Sequence, residues 1–384
     1  MRHLSGDATS ARERVLNCLE RKGCDRIPVK HEGTPEVNAA LMKHFGLSNQ
    51  EQLLRVLGDD FRYVQPRYCG PELRTFPDES FEGFWGERYA YKPYEGGQYV
   101  EPVYLPFAGV LRSQDLDRSH FPTADWFDYG KIEAQCDAVG KHYAVCIGSA
   151  GDMDFINTIG RMRGIAQVLE DLMTENPAFM EILDARFTFY YGLHERTLHA
   201  ARGKVDILHV GEDLGTQHGP VISMEVFERL FAEKYGAIFA LGHRYGAKTM
   251  MHSCGCVEPF VPRLIELGLD ILDVVQPTTP EMDIAHLKRT FGDRLSFCGS
   301  MCVQSLLPNG RPDDVIREVR RRIDLFPQGG LILGPTHAIQ VGTPIENILA
   351  MYKTAGSLVE TVGEDILALA GGSENGEFDL FKLF

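Results

Sequence analysis

Short runs of β-branched and other apolar residues alternate along this chain with segments whose apolar positions recur at helical spacing. That alternation is the pattern of parallel strands buried on both faces and joined by crossover helices. Eight runs have the length of strands: Arg26–Val29, Phe61–Val64, Tyr143–Gly148, Val205–Val210, Lys248–His252, Leu269–Val275, Leu295–Cys298 and Leu331–Leu333. From the third onward each leads into a segment of helical period, so the predicted fold is α/β, a (β/α)8 TIM barrel. Cap chemistry bounds several helices. Met224–Arg244 follows Ser223, Glu258–Leu267 stops at Gly268, Asp313–Leu325 ends in arginines, and Pro344–Ala355 follows Thr343. An amphipathic helix over Ser10–Arg21 precedes the first strand, where it would plug or flank the barrel.

Two stretches break the alternation. Residues 69–125 are dense in aromatics, Pro and Gly and predict a β-rich insertion after the second strand, with a hairpin about Glu95-Gly96-Gly97. Such an insertion would roof the barrel mouth with Phe84, Trp85, Tyr89, Tyr91, Tyr94 and Tyr99, although aromatic stripes are more often ordinary packing. Residues 371–384 are polar and Gly-rich before an apolar end, a loose tail or one that docks on a neighbouring subunit. The whole of 1–384 reads as one barrel domain.

Composition narrows the function. The 384 residues, 44% of them hydrophobic, suffice for a large core. The opening MRHLSGDATSARERV has no apolar stretch of a secretion signal, and no run approaches the roughly 18 apolar residues of a membrane span. A cytoplasmic protein without a membrane partner is the expectation. Nine thinly spread cysteines fit reduced thiols better than a disulfide framework. A formal net charge of -15 argues against nucleic acid, whose binding needs a basic footprint.

Barrel enzymes build their sites from the loops at the C-terminal ends of the strands. Here those ends carry His31-Glu32-Gly33, Gly211-Glu212-Asp213, His252-Ser253-Cys254-Gly255-Cys256, Asp273 to Gln276, Cys298-Gly299 and Thr336-His337. The sharpest signal is His252 with Cys254. Residues two apart on an extended strand point to one side, so imidazole and thiol would converge while Met251 and Ser253 face away. Zinc accepts such a pair, at ~2.0 Å to nitrogen and ~2.3 Å to sulfur, and a catalytic zinc keeps one position open. A third ligand must come from elsewhere, with His337, Cys298, Cys256 and Glu212 as candidates. The plainer alternative makes His252 a hydrogen-bonded rim residue and Cys254 and Cys298 packed thiols.

The runs HSCGCVEPFVPRLIELGLDILDVVQP, LSFCGSM and GGLILGPTHAIQVGTPIENILAMYKTA resemble the uroporphyrinogen decarboxylase superfamily, most strongly over residues 204–358. A weaker likeness runs through GSAGDMDFINTIGRMRGIAQVLEDLM. The resemblance implies a (β/α)8 barrel and one of two activities: decarboxylation of uroporphyrinogen III without a cofactor, or zinc-dependent methyl transfer with a corrinoid protein. Decarboxylases of the family carry an arginine loop after the first strand that holds the substrate carboxylates. Here that stretch reads Val29-Lys30-His31-Glu32-Gly33-Thr34-Pro35-Glu36, with no arginine and two acids. The methyltransferase branch pairs a His-x-Cys with a later Cys. This chain has His252 and Cys254 but places His337 where that later Cys stands, as the decarboxylases do. It therefore mixes the two patterns and sits closer to the methyltransferases.

On that resemblance, zinc held by His252, Cys254 and His337 would bind the thiol or methyl-bearing group of a small substrate, with the methyl exchanged against cobalamin on a corrinoid partner protein. Glu212, Asp213 and His337 are the catalytic candidates, the two acids completing or orienting the metal shell. Their plainer roles are a helix cap or salt bridge for the acids, and for His337 a hydrogen bond tying the last loop to the first strand. Cys256 ranks below His337 as a ligand. Two alternatives stand beside this reading. One is a uroporphyrinogen decarboxylase using Asp59 or Asp60 against pyrrole N–H groups, although both look more like turn residues closing a helix. The other is a non-catalytic ligand-binding barrel. A homodimer is a further implication of the family.

Overall fold

The computed structural model describes residues 9–369, so the tail read at 371–384 lies outside the described residues. Seven strands form one parallel sheet: β1 (Phe61–Tyr63), β2 (Ala144–Gly148), β3 (Ile207–Gly211), β4 (Lys248–His252), β5 (Ile271–Val275), β6 (Ser296–Met301) and β7 (Leu331–Pro335). They follow one another across the sheet in chain order. The first expected strand, Arg26–Val29, is not a regular strand. Pro28 has no N–H to offer, and the Val29 N–H goes to the side chain of Asp60 at 2.7 Å instead of to a neighbouring carbonyl. The segment nonetheless closes the ring. Val29 bridges Leu333 of β7, the N–H of Leu333 donates to the Pro28 carbonyl, and the N–H of Asp60 donates to the Val29 carbonyl. The result is an α/β fold, a (β/α)8 barrel whose eighth staff is this short bridge.

Local chemistry explains the helix ends. Ser10 caps Ala11–Leu19 through a capping box: its side chain accepts from the Glu13 N–H while the Glu13 side chain takes the Ser10 N–H. Ser223 accepts from the Val226 N–H, but the single helix expected over Met224–Arg244 is two, Met224–Leu230 and Ala232–Arg244. The break is Phe231, whose φ of -118° leaves the helical range. Between β1 and β2 the chain forms an antiparallel hairpin, Arg88–Tyr94 with Gly97–Tyr104, turning at Glu95-Gly96. Its tip touches the loops after the first and last strands, where Gln98 N–H donates to Glu36 and Tyr99 Oη to Gln340. Phe84, Trp85 and Tyr89 are buried packing residues, whereas Tyr91 and Tyr99 are exposed.

The two-residue period of each strand sorts its side chains. Leu208, Val210, Met251, Leu272 and Phe297 face outward into the helices. Phe61, Cys146, Ile207, Met250, Ile271, Cys298 and Ile332 face inward, packed with Val15 and Leu19 of the N-terminal helix. That helix therefore plugs the amino end of the barrel. One pleat further along β1, β3, β4 and β5 the inward row becomes Tyr63, His209, His252 and Asp273, so the interior turns from apolar to polar toward the carboxyl end.

Candidate functional site

β4 ends at His252, and the chain turns at Gly255, whose φ is +81°. A Cβ there would lie 2.6 Å from the backbone of Gly215, so only glycine lets the β3 and β4 loops press together. Two hydrogen bonds tie the loops: Glu212 N–H to the His252 carbonyl at 2.9 Å and Leu214 N–H to the Ser253 side-chain Oγ at 3.0 Å. Cys254 N–H in turn donates to Asp213 Oδ1 at 3.2 Å. The consequence is a group of three. Asp213, His252 and Cys254 each offer a ligand atom within 4.8 Å of the others, and no other such group of three or more occurs among the described residues. His252 is buried, while Asp213 and Cys254 are half-buried and face the mouth.

The two nitrogens of His252 have different neighbours. Nδ1 donates to Asp273 Oδ2 at 3.2 Å, and Nε2 lies 3.8 Å from Asp213 Oδ1. Burial opposes a charge on this imidazole, but bonding to Asp273 and Cys254 and the negative charge of Asp273 and Asp213 hold its pKa well above the usual range. Burial raises the Cys254 thiol, against the pull of His252 and with the help of Asp213. A cation among these three groups would displace both protons, because metals bind neutral imidazole and thiolate.

Beneath the three lies a polar layer whose site role was not foreseen from the sequence. Asp273 sits 3.4 Å from His209 Nε2 and 3.7 Å from Lys30 Nζ, and Tyr63 Oη lies 3.1 Å from His209 Nδ1. Burial works against the Asp273 charge, but Lys30 and the two imidazoles overcome it and hold the carboxyl well below the ordinary carboxylate range. The available signal was an ionisable residue at an inward position of an otherwise apolar strand, Ile207-Leu208-His209 and Ile271-Leu272-Asp273.

The remaining candidates take other places. Glu212 is buried and engaged: Phe155 N–H at 2.9 Å, Ile156 N–H at 3.2 Å and Tyr235 Oη at 3.1 Å all donate to it. Burial and the nearby Asp154 push its pKa well up. Cys256 does not share a side with Cys254, because the turn at Gly255 ends the strand alternation and its thiol donates to the Pro280 carbonyl at 3.2 Å. Cys298 lies one layer deeper, packed with the apolar interior. His337 is exposed on the last loop, its ring centroid 6.2 Å from that of His252, outside the group of three. Asp59 and Asp60 precede β1 at the opposite end of the barrel, where Asp59 accepts from His31 and Phe61 N–H groups and Asp60 from Arg14, Arg26 and Val29. They are structural turn residues.

An imidazole, a thiol and a carboxylate converging at a barrel mouth make a donor set that suits zinc with one position left for a substrate. Comparison with known proteins points the same way on fold. A family model described as Uroporphyrinogen decarboxylase (URO-D) matches residues 159–358, just over half of the chain. A curated relative, the methylated-thiol--coenzyme M methyltransferase of Methanosarcina mazei, is 31% identical over 127 residues. The match spans 32% of this chain and 32% of that protein, so the chain covers about a third of the length of the curated relative. A solved structure described as a methyltransferase from Methanosarcina mazei aligns over 91% of this chain and 99% of its own, with a TM-score of 0.61 at 15% identity, a likeness of fold. No helix among the described residues is long and apolar enough to cross a membrane.

Proposed function

The chain belongs to the uroporphyrinogen decarboxylase family, and from that premise we propose that it is a zinc-dependent methyltransferase moving a methyl group between a small thiol-type substrate and a corrinoid protein. The observation that carries this reading is the convergence of Asp213, His252 and Cys254 within 4.8 Å of one another at the barrel mouth. The two relatives described above are methyltransferases, which supports the same reading.

In this proposal His252, Cys254 and Asp213 hold the ion. Zinc bound there supplies Lewis acidity, lowering the pKa of a coordinated thiol so that a thiolate is available near neutral pH. The chain's own groups do the rest. Asn157 Nδ2 donates to Asp213 Oδ2 at 2.7 Å and Cys254 N–H to Oδ1, which aims the carboxylate. Glu212 acts at one remove, pinning the Phe155-Ile156 turn beside Asn157. His337, at the lip, meets the incoming substrate in place of the ligand role expected for it. The decarboxylase alternative is disfavoured within the family, since the first loop is free of arginine and carries two acids and Asp59 and Asp60 are occupied at the far end.

Elemental analysis of wild type beside His252→Ala and Cys254→Ser tests the proposal, together with methyl transfer from methylcobalamin to a thiol. Near-stoichiometric zinc, lost in both variants along with transfer, is the expected result. Metal-free wild type that converts uroporphyrinogen would reverse it.

A further inference from the structure

We infer that Asp273 is a positioning residue that presents His252 to a metal ion through one chosen nitrogen, Nε2. This rests on the metal-site reading above. The parallel register makes Asp273 and His252 direct partners on β5 and β4, and both side chains point inward. A carboxylate on a packed strand at 1% exposure is a more rigid support than one on a loop. Its Oδ2 accepts a hydrogen bond from His252 Nδ1–H at 3.2 Å and keeps that proton in place, so that Nε2, the nitrogen facing Asp213, is the one that gives up its proton to a metal. Lys30 and His209 lie against the same carboxylate from the first and fourth staves of the barrel, so it keeps its negative charge and strengthens the imidazole as a ligand.

A purely structural account of Asp273 meets a difficulty. Buried carboxylates that only brace the barrel are satisfied on both oxygens, as Asp206 is by Arg12 and the Val145 N–H. Asp273 Oδ1 is buried without a hydrogen-bond partner among the described residues, and the directional bonding runs through Oδ2 to His252. Burying a carboxylate half-satisfied is costly unless its charge is used.

The test measures metal and tautomer, apart from turnover. Metal-free wild type and Asp273→Asn are titrated with zinc against a chromophoric chelator, with circular dichroism to check the fold. The variant should bind zinc about 10–100-fold more weakly at unchanged secondary structure. In zinc-loaded wild type labelled with 15N-histidine, the resonance absent from His252→Ala should show Nε2 coordinated and Nδ1 protonated. Equal zinc affinity in the variant, or coordination through Nδ1, overturns the inference and leaves the metal site standing. Wild type that takes up no zinc overturns both. If Asp273→Asn does not fold, the tautomer in wild type decides alone.

Discussion

Both ends of the barrel collect buried and half-buried carboxylates, and they use them differently. At the amino end Asp60, Asp206 and Asp270 each accept the N–H of a residue on the adjoining strand, Val29 at 2.7 Å, Val145 at 2.9 Å and Thr249 at 2.9 Å. Each also meets a cationic side chain: Arg14 and Arg26 for Asp60, Arg12 for Asp206, Lys248 for Asp270. At the carboxyl end Asp213 and Asp273 flank His252, with Lys30 also 3.7 Å from Asp273, and Asp273 Oδ1 and His209 Nε2 lack hydrogen-bond partners among the described residues. Burial alone therefore does not mark a functional acid in this fold. What separates the two ends is that a carboxylate oxygen and an imidazole nitrogen at the carboxyl end are left without hydrogen bonds among the described residues.

Substitutions at the two ends should separate stability from metal binding. The largest effect belongs to Asp60→Ala, which strands two guanidinium groups beside a fully buried position. It should cost about 3–5 kcal/mol by urea unfolding, and a loss below about 1 kcal/mol would break the contrast. Asp206→Ala, whose partner Arg12 is partly exposed, should cost about 1–3 kcal/mol with zinc uptake unchanged. Cys256→Ala removes a buried thiol bonded to Pro280 and should cost about 1 kcal/mol, again without loss of zinc. Zinc lost in that variant would return Cys256 to the ligand set. Cys254→Ser should change the unfolding of the metal-free protein by less than about 0.5 kcal/mol yet abolish zinc uptake. The smallest effect concerns acid. Burial opposes the Asp270 charge, but His243, the Thr249 N–H and Lys248 together hold its pKa below the ordinary value in the folded protein. A carboxyl depressed on folding stabilises above its unfolded pKa, and that contribution fades as pH falls through the unfolded value toward the folded one. Asp270→Asn should accordingly lose less stability than wild type between about pH 5 and about pH 3, and an equal or steeper loss would remove Asp270 from the bracing set.

Much of this arrangement was legible before any coordinates. The strand expected at Lys248–His252 coincides with β4, although its Lys-Thr-Met-Met-His sequence is apolar only at its centre. The first strand departs from a regular one because its Val29 N–H is taken by the side chain of Asp60, distant in sequence. Spacing two apart was enough to single out His252 and Cys254. That Asp213 joins them depends on the contact of Gly255 with Gly215, a tertiary event with no local pattern, while His337 lies on the last loop outside the group. Asp273 was visible as a rim residue, but its role became readable only once the register set it opposite His252.

Val15 and Leu19 stop the amino end of the barrel beneath a packed apolar layer, which leaves the loop rim as the open side of the site. Whatever approaches Cys254 must leave by the way it came. The short helix thus fixes, from the far end of the barrel, the side from which the site is reached.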